Sequence, residues 1–352
     1  LSVVLHERWF TASRVGFTYI GTVVGAGFAS GQEIMQFFTV SGFKSLFAIL
    51  LVTVLFSWLG IRMMVIGARL QARSYEEFNN YLFGPGVGRW MNGFVGVILF
   101  GVTTAMMSGT GALFQEQLGL SFHFGVIVTS LIAFLVIIKG MEGILNVNAL
   151  VVPCMFAFTL VVGIQGLSGP GLGQFLAMEP MEGARNWVVS AITYAAFNLA
   201  MSQSVLIPMG GEIQDEKTLR LGGILGGVGL GVMLLASNFA LALKIPEIFQ
   251  LEIPIALVIS TLGDGMKYFF LAVMWGEIFT TLIGNVYGLA ANLENWIPVR
   301  INTLMALIFI LGYVCSLIGF PVFVGYIYPF FGYCGLLTLL LLTFCKYPAI
   351  QR

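Results

Sequence analysis

Charge is scarce in this sequence. Of its 352 residues, 9% are Asp, Glu, Lys or Arg, while 58% are hydrophobic. A soluble domain carries about 25% charged residues. So little charge cannot cover a water-facing surface of this size, and lipid is expected to be the solvent for most of the outside. The sixteen basic and sixteen acidic side chains cancel to a formal net charge of zero. No long run of Lys and Arg appears, which argues against a nucleic-acid partner. Histidine is nearly absent. His6 and His123 stand alone, and neither belongs to an H-E-x-x-H zinc motif. The four cysteines, Cys154, Cys315, Cys334 and Cys345, fall in or at the ends of apolar stretches and show no C-x-x-C spacing. They read as packing residues rather than a metal site or disulfide framework. No ATP-binding P-loop is present, which argues against a self-contained ATP-driven pump. Neither an enzyme activity nor a bound organic cofactor is expected.

What the sequence has in quantity is long apolar runs. A bilayer core of about 30 Å needs roughly 20 helical residues. Candidate spans fall at 12–40, 44–70, 91–118, 122–139 and 143–166, then at 186–210, 217–243, 266–292, 300–318 and 320–345. Helices are expected, because backbone groups facing lipid must be satisfied within their own segment. The alternation of a membrane β-barrel is absent. The first stretch is longer than a signal-peptide h-region and ends on no clear small-x-small site, so it is expected to stay as a span.

Two connections carry structure of their own. Residues 71–90 set Ser74, Glu76, Glu77, Asn79 and Asn80 beside Tyr75, Phe78, Tyr81 and Leu82, the pattern of a short amphipathic helix. Ser74 and Glu77 have capping-box spacing, and the run Gly84, Pro85, Gly86 and Gly88 should break the helix. Residues 245–264 hold Pro246, Pro254 and a short apolar run from Ile255 to Leu262, too short to span and expected to lie over the membrane face.

With ten spans and the N-terminus inside, twelve of the sixteen basic residues fall on the cytoplasmic side, leaving Lys44, Arg185, Lys244 and Lys267 outside. That excess follows the positive-inside rule and places both termini in the cytoplasm. A bacterial-type cytoplasmic (inner) membrane is the expected location. Five spans followed by five puts residues 1–166 and 167–352 in opposite orientations, the arrangement of an inverted repeat. The two halves form one integral membrane domain.

The most informative segment runs from Gly21 through Thr22, Val23, Val24, Gly25, Ala26, Gly27, Phe28, Ala29, Ser30, Gly31 and Gln32 to Glu33. Four glycines within eleven residues weaken a helix by about 1 kcal/mol each relative to Ala. Gln32 and Glu33 then follow at membrane depth. Close helix packing is one reading. The other is a discontinuous helix whose freed amides and carbonyls face a binding cavity, as buried Gln and Glu require. The sixth span brings Phe197, Asn198, Ser202 and Gln203 to mid-membrane, followed by Pro208, Gly210 and Gly211. A second discontinuity is therefore expected there, against the plainer reading of Asn198 and Ser202 as interhelical glue.

The stretch from Ile20 to Phe28 resembles the first-helix signature of the amino acid–polyamine–organocation superfamily, G-x-x-x-G-x-G followed by an apolar residue. Ten spans extend the likeness to the LeuT-type fold over nearly the whole chain. Within it the sequence is similar to the YkvI-type membrane proteins, on this segment and on Ser74-Tyr75-Glu76-Glu77-Phe78 through Gly84. In sodium-coupled relatives a pair of hydroxyl residues in the eighth span helps bind Na⁺ with first-helix carbonyls. The resemblance therefore implies Na⁺ ligands at Gly21, Val24 and Glu277 through main-chain oxygens, and at Thr280 and Thr281 through hydroxyls. Each Thr could instead bond its own preceding helical turn. Phe28 stands where two-sodium members have Asn, which puts a second, substrate-linked sodium in doubt. No Lys occupies the middle of the fifth span, Asn148 to Pro153, which favours Na⁺ over one known proton mechanism. Glu33 and Glu277, both inside spans, keep proton coupling open.

The function expected is cation-coupled symport of a small organic solute, foremost an amino acid, by alternating access. Its carboxylate would meet the amides of Gly25, Ala26 and Gly27, opposite Phe197, Asn198 and Ser202, with Thr104 and Ser108 as neighbours. The competing class is a membrane receptor that binds a ligand on a transporter fold without turnover, which counterflow of labelled solute would separate.

Overall fold

The computed structural model describes residues 2–167, 171–250, 254–260, 264–317 and 328–349. Among them every regular element is helical. The first predicted span falls into three pieces: α1 (Ser2–Val23), α2 (Ala26–Ser30) and α3 (Gln32–Phe37). Gly25 is extended, with φ −139° and ψ −165°, and ends the first piece. Gly31 adopts φ 86°, a left-handed conformation that costs other residues a Cβ clash, and re-aims α3.

Then follow α4 (Ser45–Leu70), α5 (Tyr75–Leu118), α6 (Phe122–Ile137), α7 (Gly140–Leu167) and the short α8 (Gly171–Leu176). The capping box is present: the Glu76 amide donates to Ser74 Oγ at 3.2 Å, and the Ser74 amide to Glu77 Oε2 at 3.2 Å. The amphipathic turn and the third span are two arms of α5, bent where Gly84 leaves helical geometry. Asn79 Nδ2 donates to Asn92 Oδ1 at 2.8 Å and ties the two arms together.

The second half contains α9 (Trp187–Ile213), α10 (Glu216–Ala242), α11 (Pro254–Ser260), α12 (Asp264–Glu294), α13 (Ile301–Ser316) and α14 (Tyr328–Phe344). The tenth expected span, 320–345, begins in 318–327, outside the described residues. Part of the run expected over the membrane face, 261–262, also lies outside them. The remainder is α11, which packs on α10, α12 and α2.

The discontinuity expected in the sixth span is not there: α9 is one helix. Its polar side chains turn back onto their own backbone. Asn198 Nδ2 donates to the Tyr194 carbonyl at 3.0 Å, Gln203 Nε2 to Ala200 at 2.7 Å, and Ser204 Oγ to Met201 at 2.8 Å. The donors of these groups are satisfied without opening the helix, the local competition that Ser and Asn offer in membrane helices, while Asn198 Oδ1 and Gln203 Oε1 find no partner among the described residues.

Among the described residues, five helical stretches are long and apolar enough to cross a membrane: Thr39–Leu70, Tyr75–Gln115, Gly140–Ile164, Glu216–Ala242 and Gly265–Glu294. Leu131 and Leu135 of α6, Leu150 of α7, and Ile310 and Val314 of α13 are exposed. Apolar outer faces of this kind suit lipid and would be a liability in water. α9 is the inner helix, buried almost throughout its length. It packs on α4 and α14, α4 on α10, and α1 on α10 and α7, while α12 packs on α5, α7 and α13.

Basic side chains gather at one end. Arg8 pairs with Asp215 at 3.5 Å, Arg14 with Glu142 at 2.7 Å and Arg69 with Glu216 at 2.7 Å. The segment after α14 is bound across this end. Arg62, buried in α4, donates through Nε to the Leu342 carbonyl at 2.9 Å and through its terminal nitrogen to the Cys345 carbonyl. Arg69 reaches the Pro348 carbonyl at 3.1 Å, and the Tyr81 hydroxyl donates to the Lys346 carbonyl at 2.6 Å. The guanidiniums of Arg62, Arg69 and Arg220 lie 4.8, 5.0 and 6.0 Å from the Tyr347 ring centroid. At the other end the Phe43 amide donates to Met178 and the Met181 amide to Val40, both at 2.9 Å.

Candidate functional site

The break between α1 and α2 organises the site. With Gly25 extended, the last carbonyls of α1 are no longer shielded by a continuing helix. The side chain of Thr281, on α12, fills that position. Its hydroxyl donates to the Val24 carbonyl and lies 3.3 Å from the Gly21 oxygen. Three of the five oxygens expected to hold a cation therefore converge. Thr280 does not join them directly. It donates to the Glu277 carbonyl one turn back at 3.0 Å, the self-satisfying alternative for a helical Thr. Gly21, Val24, Glu277, Thr280 and Thr281 are all buried.

The donor set is entirely hard oxygen, carbonyl and hydroxyl, which suits a hard cation such as Na⁺. Gly21 allows this approach on its other side too. A Cβ there would lie 3.0 Å from Asn148 Cγ and Val152 Cγ2 of α7.

Gly25 faces Thr281 and Met106 of α5. A Cβ on it would stand 3.3 Å from Thr281 Oγ1 and 3.4 Å from Met106 Cε. Met106 was not named as a site residue from the sequence, where the polar Thr103, Thr104 and Ser108 beside it carried the signal. Thr104 and Ser108 are buried, but on the other side of α5, the side of Gly101, which meets Phe331 of α14. Thr104 donates to the Phe100 carbonyl at 2.9 Å.

On α9, Phe197 lies near Gly332 of α14, and Ser202 donates to Leu199 at 3.4 Å. The Tyr194 hydroxyl and Asn198 Oδ1, one turn apart on α9, are buried with no hydrogen-bond partner among the described residues. Tyr194 was missed in the sequence because nothing separates it from an ordinary core aromatic. Its ring packs on Phe38 at 4.9 Å and Phe37 at 5.3 Å.

The two acidic residues sit on opposite sides of α2. Glu277 reaches a small cavity lined by Phe28, Ala29, Thr159, Ser237 and Ile255, with room for about one water. Glu33 folds back over Gly27, and a Cβ there would lie 2.6 Å from Glu33 Cγ and Cδ. Among the described residues, Glu33 Oε2 and Glu277 Oε2 have no hydrogen-bond partner.

The all-helical fold is shared with solved membrane transporters. A substrate-bound, outward-open Na⁺-coupled sialic acid symporter superimposes with a TM-score of 0.70 at 12% identity, over 95% of this chain and 79% of that one. MHP1, a nucleobase-cation-symport-1 family transporter in a closed conformation with bromovinylhydantoin bound, gives 0.62 at 11% identity over 86% and 70%. A manganese transporter of Eremococcus coleocola gives 0.59 at 11% over 94% and 74%. At these identities the likeness shows the fold, which is the LeuT-type transporter fold. The chain belongs to the YkvI family of membrane proteins: it is 38% identical to YkvI of Bacillus subtilis (strain 168) over 333 residues, 93% of each chain. It is also 25% identical to YyaD of the same organism over 348 residues, 98% of this chain and 99% of that one. No family model matches.

Proposed function

We propose that this protein is a secondary active transporter that moves a small organic solute, foremost an amino acid, by alternating access coupled to a cation, with Na⁺ preferred over H⁺. The observation that carries the reading is the meeting of the Gly21 and Val24 carbonyls with the Thr281 hydroxyl across the break in the first span. Na⁺ would be held there, with the Glu277 carbonyl and the Thr280 hydroxyl joining after Thr280 turns from its own helix. An ion bound between α1 and α12 fastens the two together. It shifts the access equilibrium only to the extent that it binds one state better. The Na⁺-coupled symporter among the structural relatives supports this choice of ion.

The solute would bind beside the break, with its carboxylate near the amides of Gly25, Ala26 and Gly27. Asn198, Phe197 and Ser202 would stand on the α9 side, and Thr104 and Ser108 on the face of α5 turned toward α14. Freed amides at a helix start favour an anionic group. Glu33 and Glu277 are the candidates for a proton route.

In this reading the chain spans ten times, as a 5+5 inverted repeat of residues 1–166 and 167–352, with both termini in the cytoplasm of a bacterial-type cell. The pairings support it: α4 on α9 mirrors α10 on α1, and α14 on α9 mirrors α7 on α1. The gathering of basic side chains at one end supports the orientation.

The test is counterflow of labelled amino acids into proteoliposomes with and without a Na⁺ gradient. Accumulation driven by inward Na⁺ supports the reading. Uptake that ignores Na⁺ but follows an imposed pH gradient moves the coupling to Glu33 or Glu277. Binding without any counterflow defeats the transporter reading.

A further inference from the structure

We propose that Glu33 is the counter-charge for a protonated amine on the ligand, so that the site takes an organic ammonium, with or without a carboxylate, and rejects simple organic anions. The inference rests on the transporter reading above and names its substrate class.

Glu33 is 5% exposed, and its Oε2 has no hydrogen-bond partner among the described residues. Among the described residues the ion pairs are Arg8–Asp215, Arg14–Glu142, Arg69–Glu216 and Arg220–Glu216, all at the basic end. None supplies Glu33 with a cation. An acidic group left unpaired at membrane depth is expensive, and such residues face cavities or pathways.

The carboxylate is also aimed. It lies back against the bare face of Gly27, next to the break, where any side chain at 27 would displace it. Tyr194, on α9, carries a buried hydroxyl with no hydrogen-bond partner among the described residues, one turn before Asn198. The neighbouring wall is aromatic: Phe37 and Phe38 pack on the Tyr194 ring. A carboxylate beside aromatic faces suits a weakly hydrated organic cation better than a compact metal ion.

An opening lies on the same short helix. A cavity of about 410 Å³ opens beside α3, lined by Gln36, Phe37, Val40, Arg185 and Ser190. Phe37 belongs to both this vestibule and the Tyr194 contact. One aromatic layer, Phe37, thus borders the opening one turn along α3 from Glu33. An amine would pass that layer and meet the carboxylate at the broken helix.

The experiment uses the full chain in lipid nanodiscs, in Na⁺ buffer, and reads ligand-induced shifts in melting and titration heats. The probes are the standard amino acids, the amines left by removing their carboxyl groups, and the acids left by removing their amino groups. The expected result is binding confined to amine-bearing compounds. Glu33→Gln should weaken that binding by about tenfold or more, as loss of a charged hydrogen bond implies, and keep any stabilisation by Na⁺ alone. Binding of the acids as tight as the amines, no shift with any amine, a ligand affinity unchanged in Glu33→Gln, or loss of the Na⁺ shift in that variant would overturn the proposal. If the variant does not fold, carbodiimide modification of Glu33 in the wild type, read by mass spectrometry, replaces it: the amine should protect Glu33, and absence of protection overturns the inference. Amine binding without Na⁺-driven counterflow defeats the transporter reading and leaves Glu33 its role. Counterflow that survives Glu33→Gln undiminished does the reverse.

Discussion

The Thr281 hydroxyl leaves its own helix and donates across to the Val24 carbonyl, whereas its neighbour Thr280 bonds back to Glu277. Two adjacent threonines therefore have different tasks. Thr281→Ala leaves the Val24 oxygen without its donor, a cost of about 1–3 kcal/mol for a buried group. We expect it to raise the Na⁺ concentration for half-maximal stimulation by about tenfold or more. Thr280→Ala should have the smaller effect. Titration of melting temperature with Na⁺, against choline at equal ionic strength, measures both. Equal effects would sink the assignment.

Glycines give a second, purely structural prediction. A Cβ on Gly210 of α9 would come within 2.9 Å of the Met64 backbone carbon of α4. Backbone cannot step aside as a flexible side chain can, so Gly210→Ala should destabilise by about 1–3 kcal/mol or more. Gly93 of α5 has nothing within 4 Å of the same position. There Ala should be neutral or stabilising, by up to about 1 kcal/mol from helix propensity. Melting in detergent should separate the two substitutions by several degrees.

Much of this was legible in the sequence, and the reasons differ by element. The break at Gly25 was foreseeable because glycine crowding and a following Glu are both local signals. The capping box at Ser74 and the bend at Gly84 are local too. The unbroken α9 was not, because the same Asn, Ser and Gln that suggest an opening can bond their own preceding turns. Which threonine crosses to α1 depends on the rotation of α12, a tertiary fact. Met106 and Tyr194 carry no sequence mark of their positions, and only packing brings Met106 to the break and Tyr194 to Phe37 and Phe38.

A third prediction concerns topology. On a background with all four cysteines replaced, single cysteines at Gly86 and Gly183 should label from opposite sides of the membrane with an impermeant thiol reagent. Gly86 should be reached only after permeabilisation. Labelling of Gly86 from outside in intact cells would reverse the orientation.

A fourth concerns acid. The Thr218 hydroxyl donates to Asp215 at 2.6 Å and holds its carboxyl below the usual range, helped by the Lys217 amide and by Arg8. A depressed folded value means the stabilisation is fully present above the unfolded value of about 3.9 and is lost as pH falls through the folded one. The side chain is 47% exposed, so solvent screens the effect and it should be small. Asp215→Asn should flatten the fall in melting temperature below about pH 4 relative to wild type. An identical acid limb in both would remove Asp215 from the account.

The ring of Tyr347 among three guanidiniums bears on the order in which the chain is made. Arg62 lies in α4, yet its acceptors, at Leu342 and Cys345, follow 280 and 283 residues later in the chain. Until they arrive, α4 carries a positive charge whose partners are not yet made. An uncompensated buried charge costs several kcal/mol, so α4 must keep Arg62 near water, or borrow another acceptor, until α14 docks. Assembly of the basic end therefore waits for α14. A chain stopped before residue 340 should be handled by the cell as an unfinished protein, although every residue proposed for the ion and solute site would already have been made.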